Sequence, residues 1–304
     1  MKNLLVAFVL FSAASFSQSN RGLVGVPTLG ILFDEQVRGF RAIGGIPGSA
    51  MLGSKIEIGR DLLLAATSAR SGLAIGVDAS GVAVLIGESE IAGLMQARKN
   101  ASAIIFSADG LTAALYFSDD KVVQIFGNLS NESQLLREVK LEATPVAMAI
   151  DDGGATLLAS NSRGLYAYKA DGGIGILLPS ETVRAFDFAG NGTDIVAADQ
   201  QSVWLIRDGL ARLVVSVKDA ISVAGSTDGK RIFALLATGR AASVSVDSGE
   251  VVWVDCNCSP IGFSRLRGAA VFRLNSPKDG TVWLLDGDGE SLRIAFVASQ
   301  GDNK

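Results

Sequence analysis

The chain of 304 residues contains no histidine. That absence removes Ser-His-Asp and Cys-His catalysis, His-ligated zinc or copper sites, and conventional haem ligation. It also removes the one side chain that titrates near neutral pH unaided. Charge is sparse as well, with 19% charged residues and basic runs no longer than Arg98–Lys99. A groove that tracks phosphates needs clustered positive charge, so nucleic acid is not an expected partner. Beyond residue 20 no apolar run approaches the ~20 residues of a spanning helix, so no membrane span is expected there. There is no P-loop, dinucleotide fingerprint or nucleophile elbow, and no helical pattern follows the Gly-rich Gly44–Gly48.

What is present begins with a targeting signal. Lys2 supplies a positive start, Leu4 to Ala14 an apolar stretch, and Ser15 and Ser17 the small residues before a cut at Gln18. No cysteine follows the apolar stretch, which excludes a lipoprotein. The expectation is a signal peptide over 1–17, a single mature domain over 18–304, and a secreted or periplasmic location.

The mature chain repeats. An apolar strand and a turn ending in glycine recur, closing at Gly72, Gly110, Gly153, Gly192, Gly229 and Gly268, at steps of 38, 43, 39, 37 and 39 residues. A second strand marker follows each turn by 9 to 13 residues, as in Lys121-Val-Val-Gln-Ile125 and Ser202-Val-Trp-Leu-Ile206. A further strand closes units at Leu136–Leu141, Leu213–Lys218 and Leu292–Val297. Asp-Gly pairs supply the positive φ that tight hairpins need. Four strands in about 40 residues is the length of a propeller blade. The expected fold is therefore all-β: a β-propeller of four-stranded blades, with six clear repeats in 58–298. Leu29–Phe33, Gly39–Ile43 and Ala50–Ile58, with Gly22–Val26, favour a seventh blade; the alternative is six blades and an N-terminal hairpin. Glu88–Arg98 is the only stretch that tolerates a helix.

The corner Ile105-Phe106-Ser107-Ala108-Asp109-Gly110 resembles that of secreted bacterial YVTN- and WD40-like propeller repeats. The likeness implies a fold and not an activity. WD40 repeats carry a Gly-His pair, which is missing here, and neither Trp204 nor Trp283 is followed by Asp.

Candidate sites are few. Cys256 and Cys258 stand two apart, and in an exported chain a small disulfide ring is the leading reading. Extended Cα atoms at that spacing sit near the limit for a bridge, so a local bend is required, which Asn257 and Ser259–Pro260 can supply. Two buried thiols, or a metal or redox pair, are the alternatives. Asp286, Asp288 and Glu290 resemble half a calcium loop, but no Glu stands at the twelfth position and a hairpin turn is due there. Trp204, Trp253 and Trp283 fall in strands and are expected to pack between sheets.

No convergent catalytic cluster emerges, so the sequence points away from an enzyme and offers no catalytic, cofactor or metal residue. The expected function is that of a binding or scaffold propeller, a monomer whose partner is a protein or an extracellular polymer. The alternative is a calcium-dependent hydrolase of the lactonase type, whose metal is held by carboxylates and amides.

Overall fold

The computed structural model describes residues 27–87, 90–130, 132–180, 183–190, 192–289 and 291–299. The signal segment Met1–Ser17 and the strand expected at Gly22–Val26 lie outside the described residues.

Seven hydrophobic clusters organise the molecule, each lying between two consecutive groups of strands. One joins Leu29 and Ile43 to Val271 and Leu284, the first group to the last, so the series closes into a ring. Among the described residues there are 27 strands, paired antiparallel except at one place, and one short 3-10 turn at Pro277–Asp279. Five four-stranded sheets run in simple meander order. The first three strands and the last four share a sixth sheet. These are seven blades: blade 1 is Thr28–Ile56, blade 2 Leu62–Leu94, blade 3 Ala103–Lys140, blade 4 Ala147–Leu178, blade 5 Ala185–Ser216, blade 6 Ala220–Asp255 and blade 7 Ser264–Ser299.

Burial grades across each blade as this architecture demands. In blade 3 the inner strand Ala103–Phe106 is half-buried, the middle strands Ala113–Phe117 and Val122–Gly127 are buried throughout, and the outer strand Gln134–Lys140 is mostly exposed. Strands buried on both faces read as continuous apolar runs, which is why the middle strands carry Ala-Ala-Leu-Tyr-Phe and Val-Val-Gln-Ile-Phe. The described part of the helix-tolerant stretch, 90–98, is no exception, because Ile91–Leu94 forms the outer strand of blade 2.

The recurrent Ser-x-Asp-Gly corner is the turn from inner to second strand. Ser107 Oγ donates to Asp109 Oδ1 (2.7 Å) and accepts from Thr112 N, while Asp109 Oδ1 accepts from Leu111 N. Ser226 and Asp228 repeat the arrangement. Gly110 and Gly229 hold φ of 74° and 70°, which only glycine adopts without strain. In blade 4 the left-handed residue is Gly154 and not the expected Gly153, because the turn starts at Asp151, whose O accepts from Gly154 N.

These corners also stitch the ring along one face. Ser71 Oγ donates to Gly110 O, Asp109 N to Asp152 Oδ1, Gly190 N to Ser226 O, Thr227 N to Ala269 O and Arg267 N to Leu29 O. Arg137, on the outer strand of blade 3, donates to Gly154, Ala155, Tyr168 and Lys169 carbonyls of blade 4.

Blade 1 differs from the rest. Its first strand, Thr28–Asp34, starts beside the corner of blade 7, through Arg267 N to Leu29 O. It ends at the opposite face, where Glu35 pairs with Lys278 (2.8 Å). That direction is opposite to the inner strands of the other blades. Its third strand, Met51–Ile56, pairs in parallel with the end of the last outer strand, Ala298 with Met51 and Ser299 with Leu52. Blade 1 thus matches the second, third and outer strands of its neighbours, and this parallel pairing joins the last blade to the first. The six-blade alternative fails here: the N-terminal strands are a blade in the ring, not a cap upon it.

Candidate functional site: the central channel and the outer rim

The inner strands surround a channel. Its larger cavity, about 360 Å³, has a wall about half apolar, to which aliphatic and aromatic side chains from blades 1, 2, 3 and 7 contribute, among them Ile31, Phe33, Ile104 and Phe106. It extends out to Arg273, on the second strand of blade 7. Two local features make room for this. The inner strand of blade 7 is only two residues long, Ser264–Arg265, and blade 1 presents Thr28–Asp34 directly to the channel. A second cavity of about 180 Å³ lies toward blades 4 to 6.

Three charged side chains enter this apolar interior. Asp187, on the inner strand of blade 5, and Arg265, on that of blade 7, line both cavities and pair at 3.4 Å. Arg265 Nη2 also donates to Gly225 O of blade 6 (2.7 Å), and its guanidinium lies 5.0 Å from the Phe272 ring centroid. Burial pushes the Asp187 carboxyl above its ordinary value, with Arg265 acting in the opposite sense. Arg273 donates from Nη2 to Ser264 Oγ (3.0 Å), and burial pushes its guanidinium below its ordinary value.

The outer strands form the second distinctive surface. Each exposes at least one large apolar side chain: Met51, Leu94, Leu136, Ile176, Leu210, Trp253 and Phe296, blade by blade. In blades 3 to 6 these come in pairs, Leu135 with Leu136, Ile174 with Ile176, Leu210 with Leu213, and Val252 with Trp253. Leu210 is the extreme, 76% exposed. Trp253 therefore departs from the expected packing between sheets, standing on the rim with the Arg240 guanidinium 4.7 Å from its ring centroid. Trp283 packs against Phe296, and Trp204 Nε1 donates to Asp199 Oδ2 (3.0 Å).

The remaining sequence candidates lie elsewhere. Cys256 and Cys258 are joined Sγ to Sγ beyond the outer strand of blade 6, with Cα atoms 5.2 Å apart. The chain bends there, Cys256 N donating to Gly239 O. Asp286 accepts from Arg293 and from Asp288 N, and Asp288 accepts from Ala270 N, so both carboxylates serve a turn; Glu290 lies outside the described residues. Among the described residues no group of three or more Cys, Asp and Glu is placed to hold a metal ion. No motif in the sequence marks Asp187, Arg265 or Arg273.

The architecture is that of a β-propeller, and comparison with solved structures agrees. A protein of unknown function from Desulfotomaculum acetoxidans superposes with a TM-score of 0.59 at 12% identity, covering 90% of this chain and all of that one. The β-propeller domain of Cps50 (Swd1) from Myceliophteria thermophila gives 0.59 at 11% identity, covering 79% and 86%. Likeness at that level shows the fold. No family model matches the sequence, and no curated protein does.

Proposed function

We propose that this chain is a non-catalytic binding propeller of the cell envelope or extracellular space, holding a protein or an extracellular polymer on its circumference. The apolar rim carries the reading. Scattered surface hydrophobics are ordinary, but here every outer strand presents one, and in blades 2 to 6 that strand is the edge of its sheet. Such edges accept a partner strand through main-chain hydrogen bonds, with side-chain contacts giving specificity. The channel supports the same reading, because its lining brings in one acid, Asp187, already engaged by Arg265.

The test is site-specific photocrosslinking in the native cell, with the reactive group at Leu210, Ile176 or Leu94 and, as control, at Asp171 in a hairpin turn. The binder reading expects discrete adducts from rim positions and none from the control. Failure at all rim positions rejects it. Export belongs to the same proposal: the mature chain begins near Gln18 and keeps Cys256 and Cys258 oxidised. Intact mass of the envelope fraction checks the first, and alkylation without reductant, which should label neither thiol, checks the second.

A further inference from the structure

We propose that the larger channel cavity binds a small organic carboxylate with an apolar body, received by the guanidinium of Arg273. Two independent features of the cavity converge on this ligand.

The first is charge. Arg265 is occupied by Asp187 and by the Gly225 carbonyl. Arg273 has Ser264 Oγ as its hydrogen-bond acceptor, and among the described residues no carboxylate lies within ion-pair distance of it. Glu35, the acid whose field reaches Arg273, is itself paired with Lys278. The channel therefore carries one positive charge in excess. A cation held partly out of water without a counter-ion is unfavourable, and a guanidinium offers five donors in a planar fork that matches a carboxylate. One hydroxyl acceptor leaves most of that fork unused.

The second is the wall. Apart from the charged trio, Thr67, Ser107 and Ser264, the lining side chains are apolar, and apolar atoms make up about half of the exposed wall. Inorganic phosphate would bring more acceptors than this wall has donors. An amphiphile with one carboxylate satisfies both the fork and the wall. The 360 Å³ of space accommodates about twelve non-hydrogen atoms at ~30 Å³ each, the size of decanoate.

The experiment is calorimetric titration of the mature protein with decanoate, decanol and inorganic phosphate at neutral pH. Decanoate should bind one to one, with decanol and phosphate at least tenfold weaker. Arg273→Met, close to Arg in length and without charge, should weaken decanoate at least tenfold and leave decanol unchanged, while Arg273→Lys falls between. Removing this part-buried, unpaired charge should leave the melting temperature equal or higher. The proposal fails if decanoate does not bind at millimolar concentration, if decanol binds equally well, or if Arg273→Met binds decanoate like the wild type. Should Arg273→Met not fold, hydrogen exchange of the wild-type chain with saturating decanoate decides. Protection must fall in 31–33, 104–108 and 264–273, and protection confined to the outer strands overturns the assignment.

Discussion

The carboxylate of Asp187 on blade 5 and the guanidinium of Arg265 on blade 7 meet across the channel, Oδ2 to Nη2 at 3.4 Å. Blade 6 lies between them and is drawn in through Gly225 O, so one side chain ties three blades. Arg265→Met removes both of these inter-blade bonds, and a longer one to Ala269 O within blade 7, and leaves the carboxyl without its partner. Bonds to charged groups contribute about 1.5–3 kcal/mol, and the part-exposure of Asp187 puts the expected loss near the lower end, about 1.5 kcal/mol. Asp187→Asn should cost less, because the amide can still accept from Arg265. Equilibrium urea unfolding of the two variants checks the order, and a larger loss in Asp187→Asn contradicts it.

The same pair has a pH signature. Since the folded-state pKa of Asp187 is raised by burial, the native state holds its proton more tightly than the unfolded chain does. Its contribution is therefore fully present below the ordinary carboxylate value and lost as pH rises through the raised one. Asp78 behaves oppositely. Ser80 Oγ, Val82 N and Arg60 all donate to it and hold its carboxyl at about 2, against an ordinary 3.8. Its contribution is present above 3.8 and lost as pH falls toward 2. Melting temperature from pH 6 to pH 2 should thus fall less steeply below pH 4 in Asp78→Asn than in wild type. An unchanged acid slope refutes the assignment.

The repeat was legible because it rests on local chemistry. The corner is held by bonds within six residues, as at Ser107–Thr112 and Ser226–Arg231, so each unit keeps a local turn closed by glycine, read most clearly where it is Ser-x-Asp-Gly. The one misplacement, Gly153 for Gly154, arose where Asp151-Asp152-Gly153-Gly154 offers two registers and only the starting residue of the turn decides. The channel residues left no such mark. Phe186-Asp187-Phe188 does carry a charge at an inner position of an apolar alternation, which is a signal in retrospect. What Asp187 meets, however, lies 78 residues further on. The direction of blade 1 left no mark for the same reason, because the contacts that go with it, such as the parallel pairing of Ala298 with Met51, join residues far apart in sequence.

That pairing leads to a prediction about closure. Ala298 N donates to Ala50 O at 3.1 Å, so Ala298→Pro deletes a bond that joins the last blade to the first. The expected loss is about 1 kcal/mol, the value of one such bond. Its location is the sharper readout. Hydrogen exchange should quicken in Met51–Ile56 and in the outer strand of blade 7, while blades 3 to 5 stay protected. Uniform loss of protection around the ring would show that the ends are not held locally.

Calcium separates the binding propeller from the lactonase-type alternative. If a channel metal with micromolar affinity existed, millimolar calcium would be ~1,000 times its dissociation constant and would stabilise the native state by about 4 kcal/mol. In a domain of this size that gain moves the melting temperature by several degrees. The channel lining argues against it in specific terms: its acid, Asp187, faces Arg265, and a cation entering there would meet the uncompensated charge of Arg273. The acids of the calcium-like segment, Asp286 and Asp288, are spent on Arg293 and on turn amides. The melting temperature should therefore stay within a degree or so when calcium is added or removed by chelator. A shift of several degrees specific to calcium would overturn the binding reading and direct the next assay to lactone hydrolysis.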